Sequence, residues 1–445
     1  MRYKIYKIIL WLGVVSLLIF PPIAQGAVKI WSITPVLLIE LLLIFLWLWK
    51  IKNHKTRLAD NTHQLSANKN SEKILFVKTP LDKPIWSFAL LAIFSFIFSI
   101  YKHDSFFALL KLFGYIGIYY LIVNEFNLFM KKSLLFVILC FATCLSFYGF
   151  LQYFGFLDNS WWGLPNCLSA TYVNHNHFSG YLEMLIPIII VVFLSYGLCH
   201  KNYKLLIMIL LGLALTIMSA AYILAQSRGG WISLGSALFI MNIILLKKKF
   251  LFSKNLMLYI FSVVIILSLA YISKSKVSKR IENLTQEISG ETSIEKRIAI
   301  WKGSINMIQN NALRGTGIGT FVWGFTRYRP ITLHSIRVHY AYNEYLHMAA
   351  EMGLLAPLIM LWGLIVVIIT GYRSKKIRHG TQNTEQREVI QKDKILFSYL
   401  IVGCTTGVLS LAIHGLTDFN FHIPANMLLF TVILGIMVSF TDNNK

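Results

Sequence analysis

The chain alternates between apolar blocks of about 20 residues, the length that crosses a bilayer as a helix, and short polar or basic runs. The stretch "LLIMILLGLALTIMSAAYILA" from Leu205 carries no charge and shows neither a strand nor an amphipathic period. Such blocks begin near Tyr6, Ile30, Ile85, Ser105, Ser133, Phe178, Lys204, Trp231, Asn255, Tyr345, Ile395 and Ile423. They predict an all-α polytopic membrane protein of about twelve transmembrane helices, organised as a single membrane domain over residues 1–445. Residues 51–83 are polar and lack periodicity, which predicts a flexible linker. Residues 273–342 form a large loop between the ninth and tenth spans. Within it, Thr292 and Glu295 stand at capping-box spacing. Ile294, Ile298, Trp301, Ile305 and Ile308 then recur at helical steps, predicting an amphipathic helix on the membrane surface or over a cavity.

Composition agrees with this pattern. The chain is 56% hydrophobic and 14% charged, with a mean hydropathy of +0.62, against roughly 25% charged for an average soluble domain. The net charge of +23 does not point to nucleic acid, because the basic residues lie in short runs between apolar blocks. Lysine and arginine mark cytoplasmic loops. By that rule the N-terminus, residues 50–83, Lys131–Lys132, 200–204, Lys247–Lys249 and 372–394 face the cytoplasm, and both termini are cytoplasmic. The first block resembles a signal peptide but is read as a retained span, since many spans follow. Five cysteines, with Cys167 alone in a loop, give neither a disulfide framework nor zinc spacing.

This topology sends four segments of unusual chemistry to the opposite face: 166–180, 226–231, 273–342 and 414–426. In "QSRGGW", Arg228 reads either as a snorkelling or capping arginine or as a forked donor for phosphate. Arg297 reads as a solvated charge, a cation–π partner of Trp301, or a second phosphate ligand. In "NHNHFSG", His175, Asn176 and His177 either cap the next span or contact a headgroup or sugar. The two histidines would point the same way on an extended segment, but too few ligands accompany them for a metal. His414, Asp418 and His422 stand at steps of four, yet Pro424 argues for a re-entrant turn rather than one helical face. "LRGTGIGTF" suits a tight turn, and without a preceding strand it is a weak phosphate signal. His339 and His347 join no ligand set, so no metal and no cofactor are expected.

Taken in order, "YVNHNHFSGYLEMLIP", "QSRGGWISL", "KRIAIWKGSINMIQNNALRGTGIGTF" and "YNEYLHMAAEMGLLAPLIM" resemble the O-antigen ligase and polymerase family of bacterial inner-membrane glycosyltransferases. The resemblance implies a multi-pass inner-membrane enzyme with its active site facing the periplasm. It would pass a glycan from undecaprenyl diphosphate to an acceptor hydroxyl, with inversion and without a metal. Lipid A core is the favoured acceptor. Another glycan repeat or a protein side chain are the alternatives, and a lipid-linked glycan flippase is the rival from another class. By the same resemblance Arg228 and Arg297 hold the diphosphate; on the reading of the residues themselves, Trp301, His175, Asn176, His177 and Asp418 are candidate glycan or headgroup contacts. The chain departs from the family where a histidine is expected before Asn343: Tyr342 stands there. A phenol titrates near 10 and is a poor base at neutral pH. His339 lies four residues before Asn343, and on a helix that starts early enough the two share a face. The expected catalytic group is therefore His339, with Tyr342 as its hydrogen-bonding partner, and Asn343; the competing reading is that no base is needed there, because the diphosphate is itself a good leaving group.

Overall fold

A computed structural model of the chain describes residues 2–62, 76–157, 167–199, 204–247, 293–333, 337–373 and 385–442. Every regular element among them is helical. The helices are α1 (Arg2–Ile23), α2 (Ile30–Thr62), α3 (Asp82–Ile97), α4 (Lys102–Glu125), α5 (Leu128–Tyr153), α6 (His175–Cys199), α7 (Lys204–Leu224), α8 (Arg228–Lys247), α9 (Ser293–Asn310), α10 (Glu344–Met352), α11 (Leu355–Arg373), α12 (Glu385–His414) and α13 (Pro424–Asp442). Nine of these are long and apolar enough to cross a membrane, and α3 and α13 carry shorter apolar stretches. The fold is that of a polytopic all-α membrane protein.

α6 and α12 are the most enclosed spans and form the centre of the bundle. Their close approach is written in small residues. A Cβ at Gly407 would lie 2.2 Å from the Met184 carbonyl oxygen, and one at Gly403 would lie 3.1 Å from the Ile188 Cα. Glycines four apart let two backbones meet inside a bilayer, where packing rather than the hydrophobic effect holds helices together.

Several expectations change. The span expected at Tyr345 begins instead at Leu355: Gly353, at φ 82°, breaks the chain into a nine-residue α10 and a separate α11. Tyr345 and His347 therefore lie on a short helix before the span, not in its aromatic fringe. The segment read as a flexible linker starts as helix, because α2 continues to Thr62 without a glycine or proline to stop it. His175 and His177 lie in the first turn of α6, not on an extended segment, so their rings diverge. On α9, Ile294, Ile298 and Ile305 of the expected stripe are exposed, while Ile308 of that stripe is buried with Ile300 and Met307 in a cluster that includes Phe321, Phe325 and Val338. The buried face is thus turned from the expected stripe, and the exposed face mixes Ile294, Ile298 and Ile305 with Glu295, Lys302 and Asn306. The span expected near Asn255, Thr292 of the capping box and the start of the long loop lie outside the described residues.

Candidate active site

The four segments that loop charge sends to one face meet at one end of the bundle. The turn after α12 is their junction. α12 stops at His414, a turn follows, and a short 3-10 helix (Asn420–His422) leads into α13. His414, Asp418 and His422 thus share no helical face, as Pro424 suggested, and each takes a different partner. His414 Nδ1 lies 3.0 Å from Glu183 Oε1 on α6. Asp418 Oδ2 lies 3.8 Å from Arg297 Nη2 and its Oδ1 lies 3.9 Å from His177 Nε2. His422 Nδ1 lies 2.8 Å from Glu344 Oε2 on α10.

Arg228 is the first residue of α8, and Ser227 caps the helix by accepting the Gly230 N–H at 3.2 Å. The missing side chain at Gly229 lets this turn press on the turn after α12. A Cβ there would lie 2.5 Å from Thr417 Oγ1 and 3.2 Å from His414 Nε2. The Thr417 carbonyl in turn accepts from Arg297 Nη1. The backbone at the start of α8, next to Arg228, and the Arg297 side chain thereby both meet the turn at Thr417 from elements far apart in sequence. Arg228 is exposed, and the positive end of the α8 dipole lies beside it. Arg297 does not stack on Trp301. Its guanidinium lies 5.1 Å from the Tyr342 ring centre.

The remaining candidates divide. His175 is occupied, its Nδ1 2.6 Å from the Ala225 carbonyl oxygen, and the Asn176 N–H donates to Asn174 Oδ1, so this part caps α6 as the structural alternative foresaw. His177 is buried against Phe419 and near Asp418, and its Nε2 has no hydrogen-bond partner among the described residues. Asn343 is the cap of α10: its Oδ1 accepts the N–H groups of Tyr345 and Leu346, both at 3.0 Å, and its Nδ2 donates to the Leu416 carbonyl. The helix therefore starts after Asn343. The shared face expected for His339 and Asn343 does not form, and His339 stays exposed in the preceding coil. Tyr342 takes a φ of 51°, and burial first, then nearby Asp418, push its phenol above the ordinary value.

The Gly-rich segment is latched rather than open. Gly315 and Gly317 have φ of 65° and 117°, and Cβ atoms there would lie 2.2 Å from the Glu351 backbone and 2.3 Å from Ser99 Oγ. The Gly319 and Phe321 N–H groups donate to the Glu351 carboxylate at 2.8 Å each. Donors that would cradle a phosphate are already taken by the chain's own carboxylate. Burial raises the Glu351 pKa, but His347, then His422 and the Gly319 N–H, outweigh it and hold the group below the usual carboxylate range.

His347, Glu351 and His422 place one ligand-type atom each within 4.8 Å of one another. His422 joins this group from the other end of the chain, which residue spacing cannot show. Hydrogen bonding fits the cluster better than metal ligation. The Ala341 N–H points at His347 Nδ1 at 3.3 Å, so a neutral ring carries its proton on Nε2, 3.2 Å from Glu351 Oε1. A metal at Nε2 would force that proton to Nδ1, against another N–H.

Residues 213–361 match the family model described as O-antigen ligase. The match covers about a third of the chain, and this segment is similar to O-antigen ligases. No curated protein matches the chain. The matched segment includes Arg228, Arg297, the Gly-rich segment, α10 and the start of α11. Its partners at the site, Glu183, His177, Asp418 and His422, lie outside the matched residues. Glu183 and Glu351 were legible as acids inside apolar runs, which are costly unless paired.

Proposed function

We propose that the protein is a glycosyltransferase that moves a glycan from undecaprenyl diphosphate to an acceptor hydroxyl, lipid A core foremost, on the periplasmic face of a bacterial inner membrane. The observation that supports this reading is that the Arg297 side chain and the start of α8, which carries the exposed Arg228, meet the same turn at Thr417. Two guanidinium groups and a helix N-terminus at one end of a membrane bundle form a receptor for a lipid diphosphate. As the glycosyl bond breaks, negative charge grows on the departing diphosphate. Arginines placed there stabilise that charge without a metal. Direct displacement by the acceptor oxygen inverts the anomeric carbon. In this reading Asp418 and His177 set the position of Arg297, Tyr342 supports its guanidinium, and Asn343 sets the start of α10. Trp301 and Asn176 are glycan contacts. The imidazole expected before Asn343 is replaced by another base, for which exposed His339 is one candidate.

The test is transfer in proteoliposomes with an undecaprenyl-diphosphate-linked glycan. A charge-assisted hydrogen bond is worth about 1.5–3 kcal/mol, so Arg228→Ala and Arg297→Ala should each weaken donor use by about ten- to a hundred-fold. Lysine at either position should restore only part of it. In cells, loss of transfer with donor accumulating on the periplasmic side fits the enzyme. Donor trapped on the cytoplasmic side means a flippase instead. Glycan appearing on polymer or on protein, with lipid A core unmodified, moves the acceptor to those classes.

A further inference from the structure

The arginine site is one of two functional surfaces at this end of the molecule. A cavity of about 320 Å³ lies on the far side of the turn after α12. Its walls are largely apolar side chains of α3, α4, α11 and α13, such as Phe88, Leu112, Met360 and Leu434. Its polar end is built by Lys111, Glu344, His347, Glu351 and His422. None of Arg228, Arg297, His177 or Asp418 lines it. A short aromatic wall separates the two surfaces: Tyr340 stacks on Phe419 at 4.3 Å, and Arg297 and His422 lie near its two ends.

His422 is built as a base. Glu344 reaches its Nδ1 at 2.8 Å, and the other Glu344 oxygen is fixed by the Phe421 N–H at 2.7 Å. The His422–Glu344 contact is close but not aligned as a hydrogen bond, so charge more than direction couples the pair. A carboxylate behind Nδ1 leaves Nε2 as the proton acceptor and stabilises the imidazolium that forms. His347 is spent on Glu351 and Ala341, whereas His422 keeps part of its side chain exposed.

We propose that His422, oriented by Glu344, takes the proton of the acceptor hydroxyl, and that the apolar cavity beside it receives the lipid anchor of the acceptor. This rests on the glycosyltransferase reading. The acceptor oxygen forms its bond to the anomeric carbon as the carbon–oxygen bond to the diphosphate breaks. The bonding pair leaves on the undecaprenyl diphosphate beside the arginines. The hydroxyl proton passes to His422 Nε2 and then to water. Donor and acceptor thus approach from opposite sides of the aromatic wall.

The charged and titratable groups facing His422 are Glu344, Glu351, His347, Tyr340 and Lys111. Burial would lower its pKa, but Glu344 and then Glu351 outweigh this and raise it above the ordinary value. A base works unprotonated, so activity should rise with pH as His422 loses its proton.

The experiment uses the full chain in proteoliposomes with the lipid-linked donor and two acceptors, lipid A core and the same core stripped of its acyl chains. His422→Gln should lower kcat by about 10²–10⁴-fold, abolish the pH limb and leave the donor KM unchanged. Glu344→Gln keeps an acceptor for the Phe421 N–H and should move the limb to lower pH, which decides the matter even where His422→Gln folds poorly. Deacylation should raise the acceptor KM at least ten-fold. An unmoved limb in Glu344→Gln, wild-type kcat in His422→Gln, or loss of the limb in His339→Ala overturns the base. Equal KM for the two acceptors overturns the cavity's role. If the wild-type protein transfers no glycan at all, the glycosyltransferase reading itself has failed.

Discussion

Glu183 shows how one buried residue can tie several helices together. It is fully buried in α6, where a lone carboxylate would be prohibitive. Ser233 of α8 donates to its Oε2 at 2.7 Å, and His414 of α12 meets its Oε1 at 3.0 Å. His414 Nε2 lies 3.5 Å from Ser227 Oγ, the cap of α8. The chain Glu183–His414–Ser227 therefore ties three helices together immediately behind Arg228. Breaking a buried pair by removing one partner costs about 3–5 kcal/mol. Glu183→Ala should lower the thermal unfolding midpoint in detergent markedly, whereas Glu183→Gln, which keeps an acceptor, should lower it less. Equal midpoints for the two variants would show that Glu183 does not hold these helices.

At the scale of elements, the Gly-rich segment and α10 form a single lock. Thr316 and Gly317 N–H groups bond to the Ala350 and Glu351 carbonyls, and Leu354 N–H bonds back to Ala312. Ser95 of α3 joins both sides, accepting from Ile318 N–H and donating to Glu351 O. Alanine at Gly315 should destabilise the fold, because its φ is positive and its Cβ would strike the Glu351 backbone. The lock also depends on pH. Glu351 has a depressed pKa, so its contribution is complete above the unfolded value of about 4.3 and is lost as pH falls through the lower folded value. Hydrogen exchange over 315–321 should therefore accelerate under acid conditions. Glu351→Ala should make it fast at neutral pH as well. No change in that variant would refute the lock.

For the whole molecule, the alternation of basic loops makes a prediction about sidedness. Lys302→Cys on α9 should react with a membrane-impermeant maleimide in whole spheroplasts, and Lys4→Cys should react only after lysis. The reverse pattern would invert the molecule and strip the proposed site of its periplasmic donor. The contacts between segments 167–180, 226–231, 293–342 and 414–426 require only that they share one end of the bundle, which the structure supplies.

Apolar blocks of bilayer length determined the all-α membrane fold by themselves, because a backbone in lipid must satisfy its hydrogen bonds within each helix. Loop charge was enough to gather the chemically unusual segments, and local motifs singled out Arg228 and Arg297. Hydropathy did not reveal the break at Gly353, since apolar residues continue through it and a single positive φ ends the helix. Nor did spacing reveal the partners. Glu183 with His414, Arg297 with Asp418, and Glu344 with His422 are each separated by 78 residues or more along the chain. Only packing brings such groups within 4 Å of each other. The chain's local chemistry named the residues; tertiary structure decided which carboxylate faces which imidazole, because only packing sets distances between groups so far apart in sequence.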